Sequence, residues 1–427
     1  MVVVVAVAEG ADLDLLQSER GRVRAPWLSN VLAHEPWWRT PCGPAPYEPS
    51  NLATAFTGKG RGHHGCYSYW HIRSDDPGPP RVLTSDDVLL PWLWNWPELS
   101  QLRIATANVQ LTHPPKPLNG VTLSYLMEQT LRYTYPPSFV HEMKRRHLRY
   151  GHDVSVFYRG EPPETYFDNI LKVASYQLET ALTIGREHDL LIVNLTIVDR
   201  LSHFLWHELE SGSVAEDPAV LRGYAFLDKA LAALDALAEP EPMLVLSEIG
   251  FGPIERFESL DRALACGGFL KMAPGGEIIP SGTRAREAVQ GSHGIVLSGS
   301  NGSLAKLRDE VIDCLIEARA DDGRRLVSCA IPREELYEGP AISLAPDIIV
   351  TPADPRRPPA GDPRWARHVN RHLQTGWHRD QGFVAVRRAR PMMAPSNPAY
   401  LESIAPTVAA LAGREPPAWC FPALARR

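Results

Sequence analysis

The chain has 427 residues, a net charge of −6 and 44% apolar residues, with an isoelectric point near 6.2. That length holds one large α/β domain with insertions, or about two or three average domains, with a core large enough to need no disulfide staples. The acidic balance excludes the basic face that a nucleic-acid binder needs, and the basic residues are mostly Arg, a type suited to phosphate and carboxylate.

The first run, Val2–Ala8, is apolar but short. No basic residue stands before it and it stops at Glu9-Gly10, so it reads as a buried strand rather than a secretory leader. Residues 80–165 are rich in Pro and aromatics, as in Leu90-Pro-Trp-Leu-Trp-Asn-Trp-Pro97. They read as a cap inserted into the domain that walls a site. A helical pattern follows over Tyr166–Glu187, then a near-continuous apolar strand over Leu190–Val198 ending at Asp199. Next come a helix over Ala219–Leu237, a strand over Met243–Leu246 ending at Ser247-Glu248, and a strand over Ile295–Leu297. A helix over Leu304–Ala318 and a strand over Ile348–Val350 lead into an exposed loop at 352–364. Alternation of this kind predicts an α/β fold with a mostly parallel central sheet and helices on both faces.

Six scattered cysteines form no CxxC pair and read as reduced and partly buried. No stretch reaches the length of a membrane-spanning helix, so the expected location is cytoplasmic with no membrane partner.

In such folds ligands gather at the carboxyl ends of the strands. Glu9, Asp199 and Glu248 each stand at such an end, which predicts one shared site. Asp199 and His203 are four residues apart, so on a helix both side chains face one cation. Taken alone, the pair is better read as a helix cap and a packed imidazole. His378, in Gly376-Trp-His-Arg-Asp-Gln-Gly382, is the expected third ligand; by itself it also fits a turn histidine.

The segment Pro44–Gly65 carries Thr57-Gly58 and His64-Gly65 in a pattern that resembles the nucleophile region of the alkaline phosphatase superfamily. The resemblance is to its type I phosphodiesterase/nucleotide pyrophosphatase and phosphohydrolase/phosphomutase branch, and it runs nearly end to end. Val4–Leu16 is similar to the opening strand and metal turn, and Leu111–Gly120 (LTHPPKPLNG) to a cap motif. Val198–His207 (VDRLSHFLWH) resembles the Asp-x-x-x-His metal motif, and Leu244–Gly252 (LVLSEIGFG) the Ser-Asp-His-Gly-Phe-Gly stretch. Gly376–Gly382 is similar to the loop that brings the last His, and Ser403–Pro417 to the C-terminal helix. The resemblance implies a single alkaline-phosphatase-like domain over residues 1–427.

It also implies two divalent ions. One would be held by Asp199, His203 and His378, all retained. The other is held in the family by an opening Asp, the hydroxyl nucleophile and an Asp-His pair. Those positions here are Glu9, Glu48 and Glu248-Ile249. The second half has therefore lost an imidazole and a hydroxyl nucleophile and gained a third carboxylate.

Three readings of this altered half stay open. In the first, the chain is a metal-dependent phosphoester hydrolase or transferase with a carboxylate-rich dinuclear site. Glu48 then acts as general base or as a carboxylate nucleophile. In the second, four carboxylates and two histidines form a non-hydrolytic Fe/Mn dinuclear enzyme, oxidative or isomerising. In the third, the chain is a catalytically inactive binding homologue. Zinc, manganese and iron all suit the donor set, and hard oxygen ligation favours Fe or Mn at the carboxylate-rich half. The expected partner is a small molecule; Arg379 reads first as a solvated side chain, with contact to an anionic substrate as the alternative. His64 is expected to be structural or to support the site from behind, and Trp92, Trp94 and Trp96 to serve as packing. Lys59-Gly-Arg61 lacks the spacing of a phosphate loop. Oligomeric state is not legible.

Overall fold

The structure is a computed structural model that describes residues 2–72, 81–126, 130, 132–152, 157–210, 215–274, 277–299, 301–362, 371–395 and 397–427. Parts of the loop expected at 352–364, and of the segment 80–165, lie outside the described residues.

Its centre is an eight-stranded sheet in the order β2-β14-β7-β1-β6-β3-β4-β5. The strands are β1 (Val3–Ala8), β2 (Trp37–Pro41), β3 (Ile104–Ala107), β4 (Gly120–Leu123), β5 (Thr134–Tyr135), β6 (Leu190–Leu195), β7 (Met243–Ser247) and β14 (Gln381–Arg387). The block β7-β1-β6-β3-β4 is parallel, while β14 and β5 run antiparallel to their inner neighbours.

Strand side chains alternate between faces, and β1 shows the consequence. Val4, Ala6 and Ala8 enter one core; Val3, Val5 and Val7 enter the other. A strand buried on both faces has to be apolar throughout, which is why Val2–Ala8 carries no period. The first core is roofed by α2 (Pro163–Gly185), α3 (Ile197–Leu205) and α4 (Ala219–Ala238). On α4, Leu227, Leu231 and Leu234 make a fully buried stripe, each contributing about 1.5–3 kcal/mol. The second core is covered by α1 (Glu48–Thr57) and α6 (Ile404–Leu411).

A second sheet, in the order β11-β12-β10-β9, is antiparallel throughout. It comprises β9 (Ala285–Glu287), β10 (Gly294–Leu297), β11 (Val327–Pro332) and β12 (Ile348–Pro352), with its own core against α5 (Asn301–Glu317). The runs Ile295–Leu297 and Ile348–Val350 therefore belong to this sheet and not to the parallel one. An apolar run reports burial on both sides but not the direction of its neighbour. A two-stranded ribbon of β8 (Gly250–Pro253) and β13 (Gly376–Arg379) completes the frame of the site.

Two boundaries differ from expectation. The strand expected over Leu190–Val198 ends at Leu195, and α3 already begins at Ile197, so Val198 is helical. The segment 80–165 supplies β3, β4 and β5 to one edge of the central sheet. Trp92, Trp94 and Trp96 are buried as packing, with the Trp92 and Trp94 rings stacked at 5.0 Å.

Candidate metal centre

Three neighbouring parallel strands deliver three carboxylates to one end of the sheet. Glu9 follows β1, Glu248 follows β7, and Asp199 lies in the first turn of α3, just beyond β6. All three are fully buried. Glu48 is the first residue of α1, and His378 is carried on β13 opposite Phe251.

Asp199, His203 and His378 converge. Asp199 Oδ1 lies 3.5 Å from His203 Nε2 and 3.4 Å from His378 Nε2. A tetrahedral ion with bonds of about 2.0–2.2 Å separates its ligand atoms by roughly 3.3–3.6 Å. The three ligand atoms all lie within 4.8 Å of one another, and no other such set of three occurs among the described residues. Each imidazole is held from its far side. His378 Nδ1 donates to the Pro46 carbonyl at 3.2 Å, and the Gly376 carbonyl pairs with His203. Both rings thereby turn Nε2, with its lone pair, toward Asp199, as metal-ligating histidines require.

Electrostatics agree with that protonation. Burial lowers the His203 pKa to about 3, so the ring is neutral. Burial also pushes Asp199 up, but the neighbouring His203, Arg200 and His378 outweigh it and hold the carboxylate well below its ordinary range.

The glutamates sit differently. Glu48 Oε2 is 3.6 Å from His378 Nδ1. One Glu9 oxygen accepts from the Gln110 and Asn194 amides, while its Oε1 has no donor. No donor from another residue reaches Glu48 Oε2 or either oxygen of Glu248. Burial raises the pKa of all three, and mutual repulsion among Glu9, Glu48, Glu248 and Asp199 adds to it. Buried carboxylates without donors are costly unless a cation or proton satisfies them.

Several supporting residues carry no sequence signal. Gln110 and Asn194 are lone amides on apolar stretches. Asn51 donates to the Glu248 carbonyl at 3.0 Å and accepts from Arg61 at 2.7 Å, tying α1 to the turn after β7. His64 supports α1 as expected: its Nδ1 accepts from Cys66 N–H at 3.1 Å and its Nε2 faces Thr54 Oγ1 at 2.9 Å. Arg379 is half-buried and engaged by backbone carbonyls. Its guanidinium donates to the carbonyls of Pro253, Trp377 and His378, stapling the β8–β13 ribbon. All six cysteines are free thiols. Beside the centre lies a cavity of about 630 Å³ bordered by Tyr69, Trp70, Arg81, His113 and Tyr125.

The profile of the type I phosphodiesterase / nucleotide pyrophosphatase family matches residues 3–378, and the chain belongs to that family. Its fold is that of the alkaline phosphatase superfamily, as three solved structures show. Phosphonoacetate hydrolase from Sinorhizobium meliloti 1021, in complex with phosphonoformate, superposes with a TM-score of 0.65 at 14% identity over 96% of both chains. Murine ectonucleotide pyrophosphatase / phosphodiesterase 5 gives 0.58 at 12% identity over 100% of this chain and 97% of that one. The alkaline phosphatase PafA gives 0.59 at 12% identity over 99% and 98%. No curated protein sequence matches significantly. Among the described residues no helix is long and apolar enough to cross a membrane.

Proposed function

We propose that the chain is a metal-dependent phosphoester hydrolase or transferase acting on a small anionic substrate through a dinuclear, carboxylate-rich site. The observation that carries this is the Asp199–His203–His378 convergence, with separations of 3.4 and 3.5 Å at the spacing one ion needs. Glu9, Glu48 and Glu248 would hold the second ion. Their donor-free, buried oxygens fit a hard cation, with Mn or Fe favoured over Zn. Bound ions would supply Lewis-acid stabilisation of the charge on the phosphoryl oxygens.

The chain's own residues do the rest. Glu48 stands where the family has its hydroxyl nucleophile, at the positive end of α1. In this reading it takes the proton from a water that displaces the ester alcohol from phosphorus, or attacks phosphorus itself, expelling the ester alcohol, to give an acyl-phosphate that water then cleaves. Asn51 and Arg61 keep α1 seated so that Glu48 stays aimed at the centre. Gln110 and Asn194 orient Glu9. The cavity offers the Tyr69, Trp70 and Tyr125 rings as aromatic walls, with the Asp87-paired Arg81 guanidinium at its border, to the ester substituent of a substrate.

The test is cleavage of a nitrophenyl phosphodiester by the full chain. Glu48→Ala should lower the rate by about 100-fold or more while metal content at the Asp199 half persists. An unchanged rate in Glu48→Ala would remove Glu48 from the chemistry. Dioxygen consumption by an iron-loaded chain that cleaves no phosphoester would turn the assignment to the oxidative alternative.

A further inference from the structure

The arginine beside Asp199 plays no part in the ligand set described above, yet it points into it. Arg200 lies in the first turn of α3, where its backbone N–H donates to the Thr196 carbonyl at 3.0 Å and its carbonyl accepts from Tyr166 Oη at 3.0 Å. The side chain is only 13% exposed. Its guanidinium is 3.3 Å from Asp199 Oδ2, the oxygen turned away from the two imidazoles. On its other side it lies 3.9 Å from Glu9 Oε1, the one Glu9 oxygen that no amide reaches. It also donates to Tyr125 Oη at 2.9 Å. The guanidinium therefore bridges the two halves of the centre.

Arginine does not shed its proton in proteins, so it cannot make room for another cation by becoming neutral. It can only leave. The contact with Glu9 is long, at 3.9 Å, beyond the reach of the short charge-assisted hydrogen bond of a strong pair. Tyr125, which borders the cavity, offers the guanidinium a neutral anchor.

We infer that Arg200 is the resident counter-charge of the Glu9–Glu48–Glu248 half, and that a second divalent ion enters there only as the guanidinium leaves Glu9 and Asp199. Ions then load in two unequal steps, the first at Asp199, His203 and His378. This rests on the metal reading of the site proposed above.

Calorimetric titration of Mn²⁺ into the metal-stripped full chain tests it. The wild type should take one ion tightly and a second with affinity lower by about tenfold or more. Arg200→Met should narrow that gap by about tenfold and Arg200→Gln should do the same, so that neither variant's fold alone decides the result. Arg200→Lys keeps the positive charge and should keep the gap. An identical gap in wild type, Arg200→Met and Arg200→Gln overturns the inference. So does a single bound ion in all of them, which would mean that the glutamates hold none. A wild type that binds no ion at all defeats the metal reading itself.

Discussion

Glu48 is pulled two ways. Burial raises its pKa, while His378 and Arg200 lower it, and its place at the first turn of α1 favours the ionised form. A carboxylate so poised is a better base than one in water, which suits it to taking a proton. The Asn51 amide links Arg61 to the backbone of Glu248, and in the proposed function this keeps Glu48 aimed at the centre. Asn51→Ala leaves that buried carbonyl and guanidinium short of partners, at about 1–3 kcal/mol. We expect a lower phosphodiesterase rate at unchanged metal content; equal kcat in variant and wild type would remove this positioning role. Asp199, His203 and His378 were legible because two of them share a helical spacing and all three sit in motif positions. Gln110, Asn194 and Arg200 were not legible. A single amide on a strand, or an Arg next to a ligand, has no period to betray it, and only the packing of β1, β3 and β6 brings them to Glu9.

At the scale of elements, the turn after β1 sets how closely α3 approaches. Gly10 has φ of +70°, and a Cβ there would lie 3.2 Å from Asp199 Cα and from the Phe251 ring. Gly10→Ala should cost about 1–2 kcal/mol through its left-handed backbone, and press on Asp199. Denaturant unfolding should show that loss together with weaker ion binding; ion affinity equal to wild type would mean that α3 tolerates the shift. The seat of α1 carries a pH signature. Burial lowers the His64 pKa to about 3 from its ordinary value of 6.5. The unfolded chain then binds the extra proton first as pH falls. Stability from the neutral ring is present above pH 6.5 and is lost on acidification toward pH 3, at about 1.4 kcal/mol per pH unit. Urea unfolding between pH 7 and about 4 should show a shallower loss in His64→Gln. Parallel curves would refute the assignment. The elements themselves were largely readable, since the strands leading to Glu9, Asp199 and Glu248 are near-continuously apolar. Pairing direction was not, and β10 and β12 went to an antiparallel sheet that their apolar runs could not announce.

At the scale of the molecule, the sheet order places β7, β1 and β6 side by side, so that residues 9, 199 and 248 meet although they are far apart in the chain. The fold was legible through its ordered motifs. The contribution of 104–123 to the central sheet was not, because its Pro-rich surroundings mask two short strands. A centre that binds ions only when folded links metal to stability. Saturation at about 100 times the dissociation constant should add about 2.7 kcal/mol. A melting temperature unmoved by Mn²⁺, Zn²⁺ or Fe²⁺ would speak against such a centre. The most direct measurement is elemental analysis of the purified full chain, combined with nitrophenyl phosphodiester cleavage, for wild type and for His203→Ala and His378→Ala. Wild type should carry stoichiometric metal and hydrolyse the ester, with both lost together in the two variants and both restored to metal-stripped wild type by the ion. Wild-type protein that carries no metal, or that cleaves the ester equally well without it, would rule out a metal-dependent phosphoesterase.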